Sequence, residues 1–452
     1  MAKERLQTDM TMGSPVKIIL NFTIPIFIGN MFQQFYSMAD TIIVGKFVGT
    51  KALAAVGSVG TIMFLILGFL QGLTAGFSVL TAQRFGAGDM AGMRKTVGTA
   101  AVLSVGITIV MTVGSMLAMK PLLMFMHTPE DIFQDAYTYI MIICAGIAAS
   151  VLYNLLSGVL RALGDSKTPL YFLILSAVLN IGLDLLLILV FHMGAAGAAL
   201  GTLLARVIEV LIVVFYAVKM NDVVKIHIKD LFVKDKALGK DFFTYAFPVL
   251  LNELAWGAGM AAISAIVGHL GSSVVAAHSV AQVCRQLSMV IGFGISNAAA
   301  IMIGKAIGEK KEELARQYGK RFVKIAVICG IGGGLLILCI SPLVRSLLNL
   351  TPLAKSYLTA MMLIMSYYVV GQSVNTTMIV GIFRAGGDTR FGLILDVSVM
   401  WLCSIAGAAI GAFVIGIPMP WIYILLCSDE IIKIPFSVYR YRTYKWLKNV
   451  TR

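Results

Sequence analysis

Long apolar stretches recur along the chain, separated by short polar segments. Thr96 to Met119, Pro169 to Phe191, Phe322 to Ile340 and Phe391 to Ile417 are four of them. Each is long enough to cross about 30 Å of hydrocarbon at a rise of about 1.5 Å per residue. The pattern predicts an all-α polytopic membrane protein with about twelve transmembrane helices, spans 1 to 12, at residues 16–46, 52–82, 95–119, 131–160, 168–192, 195–219, 242–268, 273–304, 319–341, 353–383, 390–414 and 419–440. Several exceed twenty residues, so they are expected to tilt or to project beyond the bilayer. The first begins near Pro15 behind a short polar leader and has no small-residue cleavage site, which predicts a retained span rather than a signal peptide.

Polar positions then set the orientation. With both termini in the cytoplasm, inner loops and tails hold 28 of the 36 Lys and Arg, outer loops hold 5 and helix interiors hold 3 (Arg206, Arg285 and Lys433). That bias predicts a multi-pass cell-membrane protein with both ends cytoplasmic. The longest loop, 221–241, is charged and central, and reads as a linker between an N-terminal six-helix lobe (1–220) and a C-terminal one (242–452).

An internal repeat supports the two halves. Gly158-Val159-Leu160-Arg161-Ala162-Leu163-Gly164-Asp165 returns as Gly381-Ile382-Phe383-Arg384-Ala385-Gly386-Gly387-Asp388, an offset of 223 that Pro25 and Pro248 share. Val44-Gly45 and Val267-Gly268 share it too, and Gln83-Arg84-Phe85-Gly86 faces Lys305-Ala306-Ile307-Gly308 at an offset of 222. Halves with an even number of spans enter the membrane in the same sense, a parallel-repeat arrangement found among transporters. Arg161, Asp165, Arg384 and Asp388 fall at the cytoplasmic ends of spans 4 and 10. There Arg complements a helix C-terminus, Gly permits the turn and Asp can cap the next helix, so the segments read as loop caps or as an inner gate.

Composition excludes other classes. At 59% hydrophobic and 13% charged residues, the chain carries more apolar surface than a soluble fold hides. The net charge of +14 lies in short loops without the aromatic-interleaved patch of a nucleic-acid binder, so anionic lipid is the expected partner and nucleic acid is not. The six cysteines (Cys144, Cys284, Cys329, Cys339, Cys403 and Cys427) lie within spans and form no CxxC, so neither a disulfide nor a structural metal is expected. HExxH and GxSxG are absent and the five histidines are scattered, which argues against an intramembrane enzyme.

Taken together, several motifs resemble the MATE (multidrug and toxic compound extrusion) family of secondary transporters. They are Pro25 with Met38-Ala39-Asp40-Thr41, Ala82-Gln83-Arg84-Phe85-Gly86-Ala87-Gly88-Asp89, Arg161 to Asp165, Val275-Ala276-Ala277-His278, and Arg384 to Phe391. The resemblance implies two six-helix lobes forming a V-shaped central cavity. It also implies export of organic, often cationic and amphipathic compounds in exchange for Na+ or H+, with no cofactor beyond that coupling ion. The chain is expected to act as a monomer. A lipid-linked precursor flippase of the same superfamily is the alternative. It would favour a more basic cavity than Arg206 and Arg285 provide.

Ionisable groups within spans are costly and normally line a functional cavity. Asp40 and Asp184 stand out, and Asn180 lies one turn before Asp184 on the same face of span 5. Counted from the outer helix ends at about 1.5 Å per residue, Asp40, Asp184, Thr202 and Tyr139 all fall roughly 9 to 12 Å deep. They are expected to converge as a hard oxygen site for Na+, or as a proton carrier. The family resemblance points the same way, through an Asp in span 1, an Asn-x-x-x-Asp pair in span 5 and a Thr in span 6. At the repeat offset, Asp40 and Asp184 map to Ile263 and Gly407, which predicts asymmetric coupling. The expected substrate-cavity residues are Asn252, Glu253, Trp256, Asp396 and Asn154. Glu253 resembles a carboxylate used by some family branches, and beside Trp256 it suits a cationic substrate. The carboxylate those branches carry in span 10 is absent here. Arg206 with Glu209, and Asp429 and Glu430 with Lys433, are expected to neutralise one another, and His278 is expected to be structural.

Overall fold

The computed structural model describes residues 15–126, 128–219, 236–347 and 350–450, and among them every regular element is helical. The first half comprises α1 (Pro15–Ile43), α2 (Thr50–Ser58), α3 (Gly60–Gly86), α4 (Met90–Phe125), α5 (Glu130–Ala145), α6 (Ile147–Ala162), α7 (Lys167–Leu185) and α8 (Gly194–Lys219). The second comprises α9 (Lys236–His269), α10 (Ser272–Gly308), α11 (Glu312–Leu347), α12 (Pro352–Thr376), α13 (Thr389–Ser398), α14 (Met419–Leu426) and α15 (Asp429–Arg442). π-helical turns extend α1, α7 and α12 at Val44–Val48, Leu186–Val190 and Thr377–Phe383, and others follow α13.

Ten of the described helices are long and apolar enough to cross a membrane, and α5 with α6, bent by 43°, makes an eleventh. The bend falls at Gly146, where a Cβ would press on Leu203 of α8. Residues 419–440, expected as span 12, form two short helices, of which α15 opens with Asp429, Glu430 and Lys433. Most of the expected linker, from 221 to 235, lies outside the described residues, and its last residues already belong to α9.

The sequence repeat is legible in the backbone. Gly49 and Gly271 adopt φ +114° and +106°, and Gly164 and Gly387 adopt +94° and +73°. Gly88 at +72° has Lys310 at +59° as its counterpart. Each pair ends equivalent helices with a residue in a region that glycine enters without strain. Local capping follows the sequence as well. Asp89 Oδ1 accepts from Gly92 N at 2.8 Å at the start of α4, and Thr351 Oγ1 accepts from Ala354 N at 3.2 Å ahead of α12.

The chain forms two compact units. The first holds the described residues of Ile28–Phe243, and the second holds residues 15–27 and the described residues from Thr244 onward. The division cuts α1 two residues after Pro25, where the proline has removed one backbone hydrogen bond. In the first unit, Val44, Leu70, Tyr139, Ile140 and Cys144 are among the buried core residues. In the second, Ile19, Phe22 and Ile26 of α1 pack with Ile295, Met302 and Trp446, and Gly294 allows α10 to lie against the Phe27 backbone.

Candidate functional site

In the first unit, α1, α5, α7 and α8 place Asp40, Tyr139, Asn180, Asp184 and Thr202 together. Asp184 is 0% exposed, Asn180 is buried, Tyr139 is 2% exposed and Asp40 is half-buried. The four-residue spacing puts Asn180 and Asp184 on one face of α7, and Asn180 Nδ2 reaches Asp184 Oδ1 at 3.4 Å. The same amide donates to Thr202 Oγ1 of α8 at 3.2 Å. The Asp40 and Asp184 carboxyls are neighbours that act on one another electrostatically, and Tyr139 lies within electrostatic reach of both. Two ionised carboxylates repel, so their proximity favours a proton or another cation held between them.

The unused oxygens point to the same requirement. Asp40 Oδ1, Asp184 Oδ2 and Asn180 Oδ1 are buried with no hydrogen-bond partner. Among the described residues, no Lys or Arg lies within ion-pair distance of either carboxylate. Two carboxylates with amide and hydroxyl oxygens form a donor set suited to a hard monovalent cation. No group of three or more His, Cys, Asp or Glu side chains converges as a metal site among the described residues.

Sequence reasoning missed Gly201. A Cβ there would overlap Asp184 Oδ1 and lie 3.1 Å from the Asp184 backbone nitrogen, so its absence is what lets α8 approach α7 at this depth. A glycine one residue before Thr202 carries no sequence signal of that role. Asn154, on α6, is half-buried.

The remaining charges of the first unit are neutralised locally. Arg206 Nη1 meets Glu209 at 2.7 Å, Nη2 donates to Tyr36 at 3.2 Å, and the guanidinium lies 5.1 Å from the centre of the Tyr153 ring. Arg161 ends α6, and the neighbouring Asp165 accepts from Thr168 N at 3.0 Å, which caps α7.

Glu253, in the second unit, is held by Arg384 at 2.7 Å, so two residues singled out separately form one ion pair. Trp256 is half-buried against an apolar core, and the buried Asn252 has a partnerless Oδ1. Asp396 is bonded to Lys433 at 2.7 Å, and the nearby Trp401 Nε1 donates to Ala255 O at 3.1 Å. Unlike Asp165, Asp388 makes no capping bond. Both its oxygens take Arg440, at 2.7 and 2.9 Å, and Oδ1 also takes Lys448 at 2.8 Å. His278 contacts the Tyr423 hydroxyl at 3.1 Å, and Arg285 is turned to Gln282 and Gln372.

A family model described as MatE matches residues 25–186 and again 248–410, so the two matches start at the repeat offset. The "Probable multidrug resistance protein YpnP" of Bacillus subtilis (strain 168) is 33% identical over 306 residues, 68% of each chain. The "Probable multidrug resistance protein NorM" of Thermotoga maritima is 22% identical over 96% of this chain and 93% of its own. Among solved structures, an "Outward-facing conformation of a multidrug resistance MATE family transporter of the MOP superfamily" is 25% identical, with a TM-score of 0.85 over 97% of this chain and 98% of its own. A MATE protein in "the straight conformation" gives 25% and 0.86 over 97% and 99%.

Proposed function

The chain belongs to the MatE family, and on that premise we propose that it is a cation-coupled antiporter exporting organic, amphipathic compounds by alternating access. The coupling cation, H+ or Na+, binds in the first unit at Asp40 and Asp184, with Asn180, Thr202 and Tyr139 around them. One observation carries this reading. Two neighbouring carboxylates sit in a membrane protein with no basic partner among the described residues and with three buried oxygens left unpaired. Such an arrangement is unfavourable without an added positive charge, so it favours whichever conformation holds the cation. The names of the relatives support drugs as cargo, and relatives solved in outward-facing, straight and bent forms support a conformational cycle.

The energetics suffice. One charge moving through about 150 mV supplies roughly 3.5 kcal/mol, equivalent to about a 300-fold gradient of a neutral compound. The flippase alternative draws less support, because both arginines within the spans that it would use are already engaged by neighbouring side chains.

The test is efflux of a panel of cationic and neutral dyes from liposomes containing the purified protein, under imposed pH or sodium gradients. Asp40→Asn and Asp184→Asn should each abolish gradient-driven export while the protein still inserts and remains monodisperse. Wild-type efflux by both variants would refute the site. Efflux that ignores both gradients would refute coupling.

A further inference from the structure

The densest charge cluster outside the candidate site lies in the second unit. Lys433, 1% exposed, directs its ammonium to three carboxylates: Asp396 Oδ1 at 2.7 Å, Asp429 Oδ2 at 2.8 Å and Glu430 Oε1 at 3.1 Å. Three N–H donors meet three acceptors, so the ammonium is saturated. Three negative charges against one positive leave two in excess in a buried place. Among the described residues, Arg285 of α10 is a further charge in this region, since Tyr368 of α12 lies within electrostatic reach of Asp429, Glu430 and Arg285 alike. Even with Arg285 counted, one negative charge is left over. Excess charge in a low-dielectric interior is costly enough that a group there takes up a neutralising partner.

An independent observation points to where that partner belongs. Asn375 of α12, 2% exposed, donates through Nδ2 to Glu430 Oε2 at 2.8 Å and to Glu430 O at 2.6 Å. Oδ1 of the same amide is buried and accepts nothing. The amide that holds the Glu430 carboxyl therefore carries an acceptor without a donor, and turned over it would accept from a proton on Glu430 Oε2. A metal ion does not suit the cluster, because the point equidistant from the three carboxylates is already held by the Lys433 ammonium, which would repel it. A proton needs no such space.

We propose that the carboxylates of Asp396, Asp429 and Glu430 around Lys433 bind one exchangeable proton, forming a second cation site that lies wholly within the second unit. The proton forms an O–H bond on a carboxylate oxygen and is centred on Glu430, and Asp396, whose side chain is 15% exposed, is the least buried of the three carboxylates. The surrounding groups are Tyr368 and Asn375 from α12, Ser404, whose hydroxyl accepts from Asp429 N at 3.1 Å, Cys427, and Arg285 from α10. The site goes beyond the proposed Asp40 and Asp184 site and does not depend on it.

The test is infrared difference spectroscopy of the purified full-length protein, following the carbonyl stretch of protonated carboxyls, identified by its shift in D2O. The background is the Asp40→Asn/Asp184→Asn double variant, which removes both carboxyls of the first-unit site. Measurement stays above about pH 6, where exposed carboxyls are ionised. One titrating band is expected, with an amplitude of one carboxyl, that is lost in Glu430→Gln and shifted in Asp396→Asn. No band in the double variant would overturn the proposal, and so would a band unchanged in both further variants. Sodium that removes the band at constant pH and ionic strength would assign the site to a metal ion and overturn it as well. Should Glu430→Gln fail to fold, the presence or absence of the band in the double variant still decides.

Discussion

Replacing Gly201 by alanine adds one methyl group where the structure leaves no room. The new Cβ overlaps Asp184 Oδ1 and sits 3.2 Å from Asp184 Cγ and 3.1 Å from its backbone nitrogen, so either the carboxylate rotates or α8 withdraws from α7. Overpacking of this kind costs about 1 to 3 kcal/mol. If the strain falls on the arrangement that holds the cation, affinity drops by about 5- to 150-fold. Gly182, on α7 between Asn180 and Asp184, provides the control, since a Cβ there meets nothing within 4 Å. Gly182→Ala is expected to leave coupling intact and to stabilise the helix by up to about 1 kcal/mol. The assay is thermal denaturation at rising sodium and at a series of pH values. At about 100 times Kd a bound cation stabilises the wild type by about 2.7 kcal/mol. Gly201→Ala should lose most of that ligand-dependent gain, whatever its baseline stability. A Gly201→Ala protein with the wild-type cation response would refute the geometry, and an equal loss in Gly182→Ala would show that any methyl group on these helices acts in the same way.

Two further outcomes follow from the ion pairs and a third from close packing. Glu253→Gln strands the buried Arg384 and should cost about 3 kcal/mol, the low end for a buried pair because Glu253 keeps some exposure, while adding Arg384→Met should restore part of it in thermal unfolding. Burial raises the Asp388 carboxyl, but Arg440 and Lys448 outweigh it and hold the group below its usual range. Its contribution is therefore complete above the ordinary Asp value of about 3.9 and is lost only as pH falls through the depressed one. Hydrogen exchange around Trp446 should stay slow at pH 5 and rise only in stronger acid, and early release near pH 6 would contradict this. Gly386→Ala places a Cβ on the Trp446 carbonyl, so it should loosen the C-terminal segment and expose it to protease, with the Asp40 and Asp184 region unaffected.

The spans, the repeat and the polar cluster of the first unit are the parts most legible in the sequence, because each depends on local spacing. Twenty apolar residues state a helix, and Asn180 and Asp184 share a face by helical geometry alone. What stayed hidden depends on contacts between distant segments. Lys448 and Arg440 reach back to Asp388 across 60 and 52 residues, and no pattern near Asp388 distinguishes it from Asp165, which occupies the same place in the repeat. The partner of Glu253, 131 residues away, was equally invisible, although both residues were conspicuous by themselves. Gly201 escaped for the opposite reason, since what matters there is an absent side chain. Residues 15–27 pack in the second unit because Ile19, Phe22 and Ile26 present an apolar stripe, and hydropathy does not say which core such a stripe will join.

The repeat makes the halves alike in backbone and leaves them different in charge. In the second unit the carboxylates within the helices gather on fixed basic groups: Glu253 has Arg384, and Asp396, Asp429 and Glu430 share Lys433, which neutralises one of their three charges. In the first, Glu209 has Arg206, but among the described residues Asp40 and Asp184 have only one another and neutral oxygens. A tethered cation stabilises one arrangement permanently, whereas an exchangeable one stabilises it only when bound, and that dependence couples an ion gradient to a conformational equilibrium. Ile188, buried four residues after Asp184, packs on α8 at Gly197 as Asp184 does at Gly201, so a lysine there puts a tethered ammonium on the same side of the helix as the carboxylate and tests this. Ile188→Lys should then stabilise the protein without sodium, abolish the sodium and pH response, and halt export while drug binding persists.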